Sequence, residues 1–464
     1  MRRLTSRTRL LGVLLMLAPA ALATLRAQQQ ARQAPPPAGT PKNFTLPAPT
    51  RFTLPNGVAV TLVPFGQVPK VAIRLVVPAG NLYESAEQVW LADLTGRMLQ
   101  EGTKTRAADA LARELAAMGG SLSVAVGPDT ASIGAEVLAE RAADAGRIVA
   151  EVARDPRLPQ DAFARVKAGL LRDLAIQKST PQAIASERFA ALMYGEHPYG
   201  RLFPTEAMLG GYTLEQVQAF HHAHVGPDHA RLYVAGVFDA RAVEAAIRDA
   251  FGSWARLPGG TAPAPPQTRP HGFALMDRPG APQSTIVLGL RVPDPASPDW
   301  IPFSVMDSLL GGSFGSRITS NIREQKGYAY SPHSSVSANL KTAHWAEVAD
   351  VTTANTGDSL KEIRNEIARL RTEPPSAPEL AGIQKNMAGT FVVRNASRLG
   401  VIGQLAFVDL HGLGDDYLSK YVERVQAVTP EQVTAMAKKY LDPEQMTLVV
   451  VADEKVVKGQ VTEK

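Results

Sequence analysis

The sequence predicts an α+β protein made of two related domains in tandem, and three observations carry that expectation. The chain has 464 residues, 45% of them hydrophobic and 20% charged, which is too long for one ordinary core and balanced enough to bury two of roughly 200 residues each. Two phrases, TLEQVQAFHHAHVGPDHARLYVAG from Thr213 and TPEQVTAMAKKYLDPEQMTLVVVA from Thr429, share Thr, Glu, Gln, Val, Ala and Pro at a constant offset of 216 residues. Between them lies LPGGTAPAPPQTRPH, Leu257 to His271. Neither a helix nor a central strand can continue through so many prolines and glycines. Residues 50–256 and 272–464 are therefore read as the two domains, and 257–271 as their linker.

The elements follow in chain order. Residues 1–23 have a basic start with Arg2, Arg3, Arg7 and Arg9, an apolar run from Leu10 to Ala21, and small residues Ala21 and Ala23. That is the pattern of a secretory signal, here cleaved after Ala23, and it implies a periplasmic or otherwise exported protein. An uncleaved anchor is the alternative, but the apolar run is shorter than the roughly 20 residues a membrane span needs. Residues 24–49 are mostly Gln, Ala and Pro, with too little apolar surface to offset the entropy of ordering them, so a flexible tether is expected. FTLPNGVAVTLVP, from Phe52, reads as a hairpin with Pro55, Asn56 and Gly57 in the turn and Val58, Val60 and Leu62 alternating after it. VAIRLVVPAG, from Val71, is a buried strand, and SLSVAVG, from Ser121, another strand. Each repeat phrase is then a helix, a proline turn and a buried strand. Thr213 and Thr429 stand at the N-caps, with Gln216 and Gln432 three residues on to complete capping boxes. A tandem duplication accounts for both phrases. Chance recurrence of a common helix–strand phrase is the alternative, and an offset equal to the domain length argues against it.

Composition removes several function classes. The pI of 9.3 suggests nucleic acid, yet without the four leader arginines the formal charge falls from +5 to about +1. No nucleic-acid partner is expected. The absence of cysteine excludes disulfides, thiolate-bound zinc, a cysteine nucleophile and lipidation at cysteine.

The most informative stretch is Gly311 to Ser335, GGSFGSRITSNIREQKGYAYSPHSS, where a glycine turn opens a polar helix carrying Arg323 and a strand start carrying Tyr330. It resembles the second-domain signature of the pitrilysin/insulinase-type zinc peptidases, the inverzincins. AGNLYESAEQVWLADLTGRMLQEGTKTRAADALARELAAMGGSLSVAVGPDTASI and GEHPYGRLFPTEAMLGGYT are similar to the family's first domain, so the resemblance covers nearly everything from Phe52 onward. It implies two homologous domains, each a mainly antiparallel sheet packed with helices, forming a half-clamp. It also implies that Arg323 and Tyr330 hold substrate beside the scissile bond.

The family's His-x-x-Glu-His falls, counting back from Gly102-Thr103, on Asp93, Leu94, Thr95, Gly96 and Arg97. That motif places two His on one helix face to bind zinc, and a Glu to take the proton of the bound water. Asp93 could offer one oxygen, Gly96 has no side chain to act as base, and Arg97 puts a permanent cation where the metal would sit. A modest ion pair between Asp93 and Arg97, four residues apart, is expected instead. The chain's only Glu-His step, Glu196-His197, has Met193 where the first His should stand. Asp173, near the expected third ligand, reads as a surface acid.

The sequence holds two further candidates. HHAHVGPDH holds His221, His222, His224 and His229, of which His221 and His224 share a helix face, but no carboxylate base accompanies them; surface or helix-end histidines are the simpler reading. Gly311-Gly312-Ser313-Phe314-Gly315 matches a nucleophile elbow around Ser313, yet the preceding FSVMDSLLG has helical spacing where an elbow needs a strand. The resulting expectation is a non-catalytic, substrate-binding subunit of an exported heteromeric zinc metallopeptidase. It binds no metal itself, and its zinc-binding partner carries the intact His-x-x-Glu-His. A structural or peptide-binding protein outside proteolysis, and a free-standing serine hydrolase using Ser313, are the alternatives.

Overall fold

Two open sheets share one connectivity. The first contains β1 Thr50–Thr53, β2 Ala59–Pro64, β3 Lys70–Val77, β4 Leu122–Val126, β5 Ala131–Leu138 and β6 Arg231–Gly236, in the order β1-β2-β6-β3-β5-β4. The second contains β7 Phe273–Asp277, β8 Gln283–Val292, β9 His333–Asn339, β10 Thr342–Thr352 and β11 Thr447–Ala452, in the order β7-β11-β8-β10-β9. β2 lies parallel to β6 as β7 does to β11, and every other pairing is antiparallel. The fold is α+β with two like domains, as the repeat phrase implies. This computed structural model describes residue 39 and residues 44–256, 261–267 and 271–461. The expected signal segment 1–23 lies outside the described residues, as do most of the tether and parts of the linker.

The 216-residue offset runs well past the phrase that revealed it. Helix Leu214–His224 and β6 recur at that offset as helix Pro430–Tyr440 and β11, bound for bound. Helices Gln160–Lys178 and Pro181–Tyr194 end 216 residues before helices Ala377–Arg394 and Arg398–Leu410 do. Both capping boxes are formed: the Thr213 and Thr429 hydroxyls accept from the backbone of Gln216 and Gln432, whose side chains accept in return at 2.9 Å. Such boxes satisfy two otherwise orphaned donors at each helix start.

Alternation along the central strands explains the layers. Val71, Ile73, Leu75 and Val77 of β3 enter the first core, with helices Leu91–Met98 and Ala142–Arg154, while Ala72 turns to the opposite face and joins the second. That second face is covered by helix Arg398–Leu410, whose Asp409 accepts the Tyr233 hydroxyl at 2.6 Å and whose Arg398 pairs with Glu136 at 2.7 Å. The second sheet receives the equivalent helix of the first half, Pro181–Tyr194: Phe189, Met193 and Tyr194 pack against Val287, Val449 and Val451. Each half thus lends the other the same helix. The exchange buries both faces of the central strands, and the described residues from Phe44 onward form one compact body.

One expectation needs correction. Phe44 lies within the stretch read as a flexible tether, but it is buried in the second core, its ring edge-on to Phe391 at 5.6 Å. Leu46 packs against the same core. Two apolar side chains among prolines and alanines suffice to fasten this part of the chain, since burying a Phe is worth about 1.5–3 kcal/mol and the partly buried Leu46 adds to it.

Candidate functional site

Helix Leu91–Met98 carries the positions of the lost metal motif. It begins at Trp90, which takes a left-handed φ of 67°. Its first free donors are satisfied from below: the Glu84 carboxylate accepts from the backbone of Trp90 at 3.1 Å and of Ala92 at 2.8 Å. Burial pushes Glu84 up to about 8 against the pull of those donors. Asn81 donates to Glu84 at 3.2 Å and to Asp93 at 2.7 Å. Desolvation raises the Asp93 carboxyl above its usual range, with the Asn81 bond opposing it.

The expected Asp93–Arg97 pair is not what forms. Arg97 Nη2 instead reaches Asp173 Oδ2 at 2.6 Å, across to helix Gln160–Lys178. The cause is tertiary: Asp93 is occupied by Asn81, and the neighbouring helix presents Asp173 to the guanidinium. Asp173 is therefore no isolated surface acid. Both partners are about two-fifths exposed, so the pair contributes no more than about 1 kcal/mol. The position of the second metal ligand and the region of the third are brought side by side, but a guanidinium fills the cation's role.

Gly96 stands where the base would be. A β-carbon built there would lie 2.7 Å from Val126 Cγ2 and 3.6 Å from Val124 Cγ1, on β4. The helix rests on the sheet's edge strand at a distance that only glycine permits, and two valines take up the space. Asp93, Gly96 and Arg97 do not fit a zinc site. Among the described residues, no group of three or more His, Cys, Asp and Glu could hold a metal ion.

The second candidate lies in Gly311–Ser335. Helix Trp300–Asp307 widens into a π-helical turn at Ser308–Gly312, and a second π-helical turn spans Thr319–Gln325. The sequence spacing had suggested an ordinary helix. A pair of acids underlies the first turn, Glu347 fully buried and Asp307 partly so: Asp307 accepts from Ser334 at 2.5 Å and from Trp345 at 2.7 Å, while neither oxygen of Glu347 has a partner among the described residues. A β-carbon at Gly311 would come 2.6 Å from Glu347 Oε2, and one at Gly312 would come 2.7 Å from Asp307 Oδ2. These glycines let the backbone lie on the carboxyls. Gly311→Ala is expected to lower stability by about 1–3 kcal/mol through overpacking; a denaturant midpoint equal to wild type would refute that close approach.

The Thr319–Gln325 turn is stapled from beneath. Arg317 forks onto Glu379 at 2.7 and 2.9 Å, and Asn321 donates to Glu362 at 3.0 Å and Glu366 at 2.9 Å. Ile318 and Ile322 are buried. Arg323 is left on the outer side. Its guanidinium carbon lies 4.4 Å from the Phe314 ring centroid and 5.5 Å from that of Tyr330, and its Nε is 3.3 Å from Glu324. The pair read from the sequence is in contact in the folded chain, on a surface where Tyr330 is 79% and Phe314 75% exposed. Phe314 was missed, although it stands inside the GGSFGSR phrase.

The other candidates separate. Ser313 Oγ is buried without a partner, and a helical turn precedes it. Nothing there activates a nucleophile. His221 bonds through Nε2 to the Ala153 carbonyl at 2.8 Å, while His224 packs on Phe220 and Tyr83. Burial lowers both imidazoles toward neutrality. They are structural.

Comparisons with known proteins agree on one family. The family model described as "Insulinase (Peptidase family M16)" matches residues 63–203, and "Peptidase M16 inactive domain" matches 211–387. An uncharacterized zinc protease of Mycobacterium leprae is 26% identical over 404 residues, 84% of this chain and 89% of that protein. Among solved structures, a peptidase M16 inactive domain from Pseudomonas fluorescens superposes with a TM-score of 0.80 at 24% identity, over 87% of this chain and 98% of that one. A protease from Helicobacter pylori gives 0.81 at 19% identity, over 88% of this chain and 100% of that one.

Proposed function

This chain belongs to the insulinase family of peptidases, peptidase family M16, and from that premise we propose that it is the non-catalytic, substrate-binding subunit of an exported heteromeric zinc metallopeptidase acting on peptides. One observation carries the reading: the metal-motif helix holds an Arg97–Asp173 ion pair and a valine-filled Gly96 position, while a half-buried Arg323 stands beside an exposed Tyr330. The two halves of the site have had different fates. The partner is a related subunit with an intact His-x-x-Glu-His. It holds the zinc, and the hydrolytic step belongs to it.

This chain's residues grip. A guanidinium offers a planar fork of donors and the tyrosine hydroxyl one more, so Arg323 and Tyr330 can hold a peptide carbonyl and stabilise charge growing on it. β4 is the outer strand of its sheet and, among the described residues, pairs only with β5, so that edge suits an extended peptide added as a further strand. The leader pattern supports export, and among the described residues no helix is long and apolar enough to cross a membrane. Mixing the purified chain with a related chain that carries the intact motif tests the reading. A stable heterodimer that cleaves an unstructured peptide, where this chain alone does not, is the expected result; a mixture no more active than the zinc-binding chain alone would end it.

A further inference from the structure

Phe314 touches Arg323 more closely than Tyr330 does, 4.4 against 5.5 Å, although three-quarters of Phe314 is exposed. Burial within this chain does not account for where that ring stands.

We propose that Phe314 is a positioning residue of the substrate grip, holding the Arg323 guanidinium against two aromatic rings so that its outer donors meet a planar peptide oxygen. The inference rests on the gripping role proposed for Arg323. Among the described residues, the one polar contact of that side chain is Nε with Glu324 at 3.3 Å, which leaves the Nη groups to an incoming ligand. An unrestrained arginine loses much rotamer freedom when it binds. Ring contacts worth about 0.5–1 kcal/mol each at an exposed site restrict it beforehand. Tyr330 then has two separable parts, a ring that restrains Arg323 and a hydroxyl that reaches substrate.

Nuclear magnetic resonance and kinetics test this together. In the lone full-length chain, the Arg323 Nε–H signal, assigned by its loss in R323K, is expected at a ring-current-shifted position. F314L should return it toward the ordinary arginine position, and F314W should keep it shifted. In the complex cleaving an unstructured reporter peptide, F314L should lower kcat/KM roughly 2- to 5-fold, mainly through kcat as R323A does, F314W should restore it, and F314L should add nothing in an R323A background. An unshifted wild-type signal, or full additivity of F314L with R323A, overturns the proposal. If R323A itself leaves cleavage unchanged while the signal is shifted, the gripping role of Arg323 has failed, and the positioning role falls with it.

Discussion

Arg323→Ala in this chain lowers kcat/KM of the reconstituted complex for an unstructured peptide about 100-fold, the scale of losing one donor to a developing oxyanion. Zinc content of the complex is expected to stay unchanged, because the proposed metal site belongs to the other subunit. The loss falls more on kcat than on KM if the guanidinium meets charge that grows in the transition state. R323K recovers only part of it, since an ammonium lacks the planar fork. Tyr330→Phe keeps the ring beside Arg323 and removes only the hydroxyl, so its effect is smaller than that of Tyr330→Ala. Kinetics of R323A within a few-fold of wild type would remove the role assigned here.

Glu347→Gln is expected to stabilise the chain, by an amount that grows with pH. Glu347 is fully buried, and desolvation together with Asp307 holds its carboxyl well above the ordinary 4.5; Asp307 is raised to about 6 by burial, with Ser334, Trp345 and the nearby His333 opposing. Both groups keep their protons longer in the folded chain than in the unfolded one. Stability is therefore greatest at low pH and falls as pH rises, through the window from about 4 to 6 for Asp307 and from about 4.5 upward for Glu347. Each such group costs about 1.4 kcal/mol per pH unit within its window. Removing the Glu347 ionisation should gain stability at neutral pH and little near pH 4. Denaturant melts of both proteins across that range measure it. Parallel curves, or a Gln variant that loses ground as pH rises, would contradict the buried-acid account.

Local chemistry was legible in the sequence where one segment decides its own structure. Thr213 with Gln216 and Thr429 with Gln432 sit three residues apart, and the capping boxes formed as expected. The repeated phrase revealed the duplication, because both copies still bury the same strand. Tertiary competition was not legible. Asp93 and Arg97 have the spacing of a helix pair, yet Asn81 takes the first and Asp173, 76 residues away, takes the second. The exchange of helices Pro181–Tyr194 and Arg398–Leu410 between halves is likewise a long-range packing choice that no local pattern marks. The close approach of Gly311, in the π-helical turn Ser308–Gly312, to Glu347 on β10 is a long-range contact of the same kind. Phe314 stands within GGSFGSR, but an aromatic in a glycine-rich loop shows its purpose only when the guanidinium is seen against it.

The claim that the catalytic half of the site was lost while the gripping half was kept is tested most directly by metal analysis of the lone chain. The purified protein would be exposed to zinc, dialysed, and measured for bound metal while an unstructured peptide is assayed for cleavage. The expected result is zinc far below one per chain and no hydrolysis, with both appearing when the related chain carrying His-x-x-Glu-His is added. Stoichiometric zinc in the lone chain, with peptide cleavage that a chelator abolishes, would contradict the account.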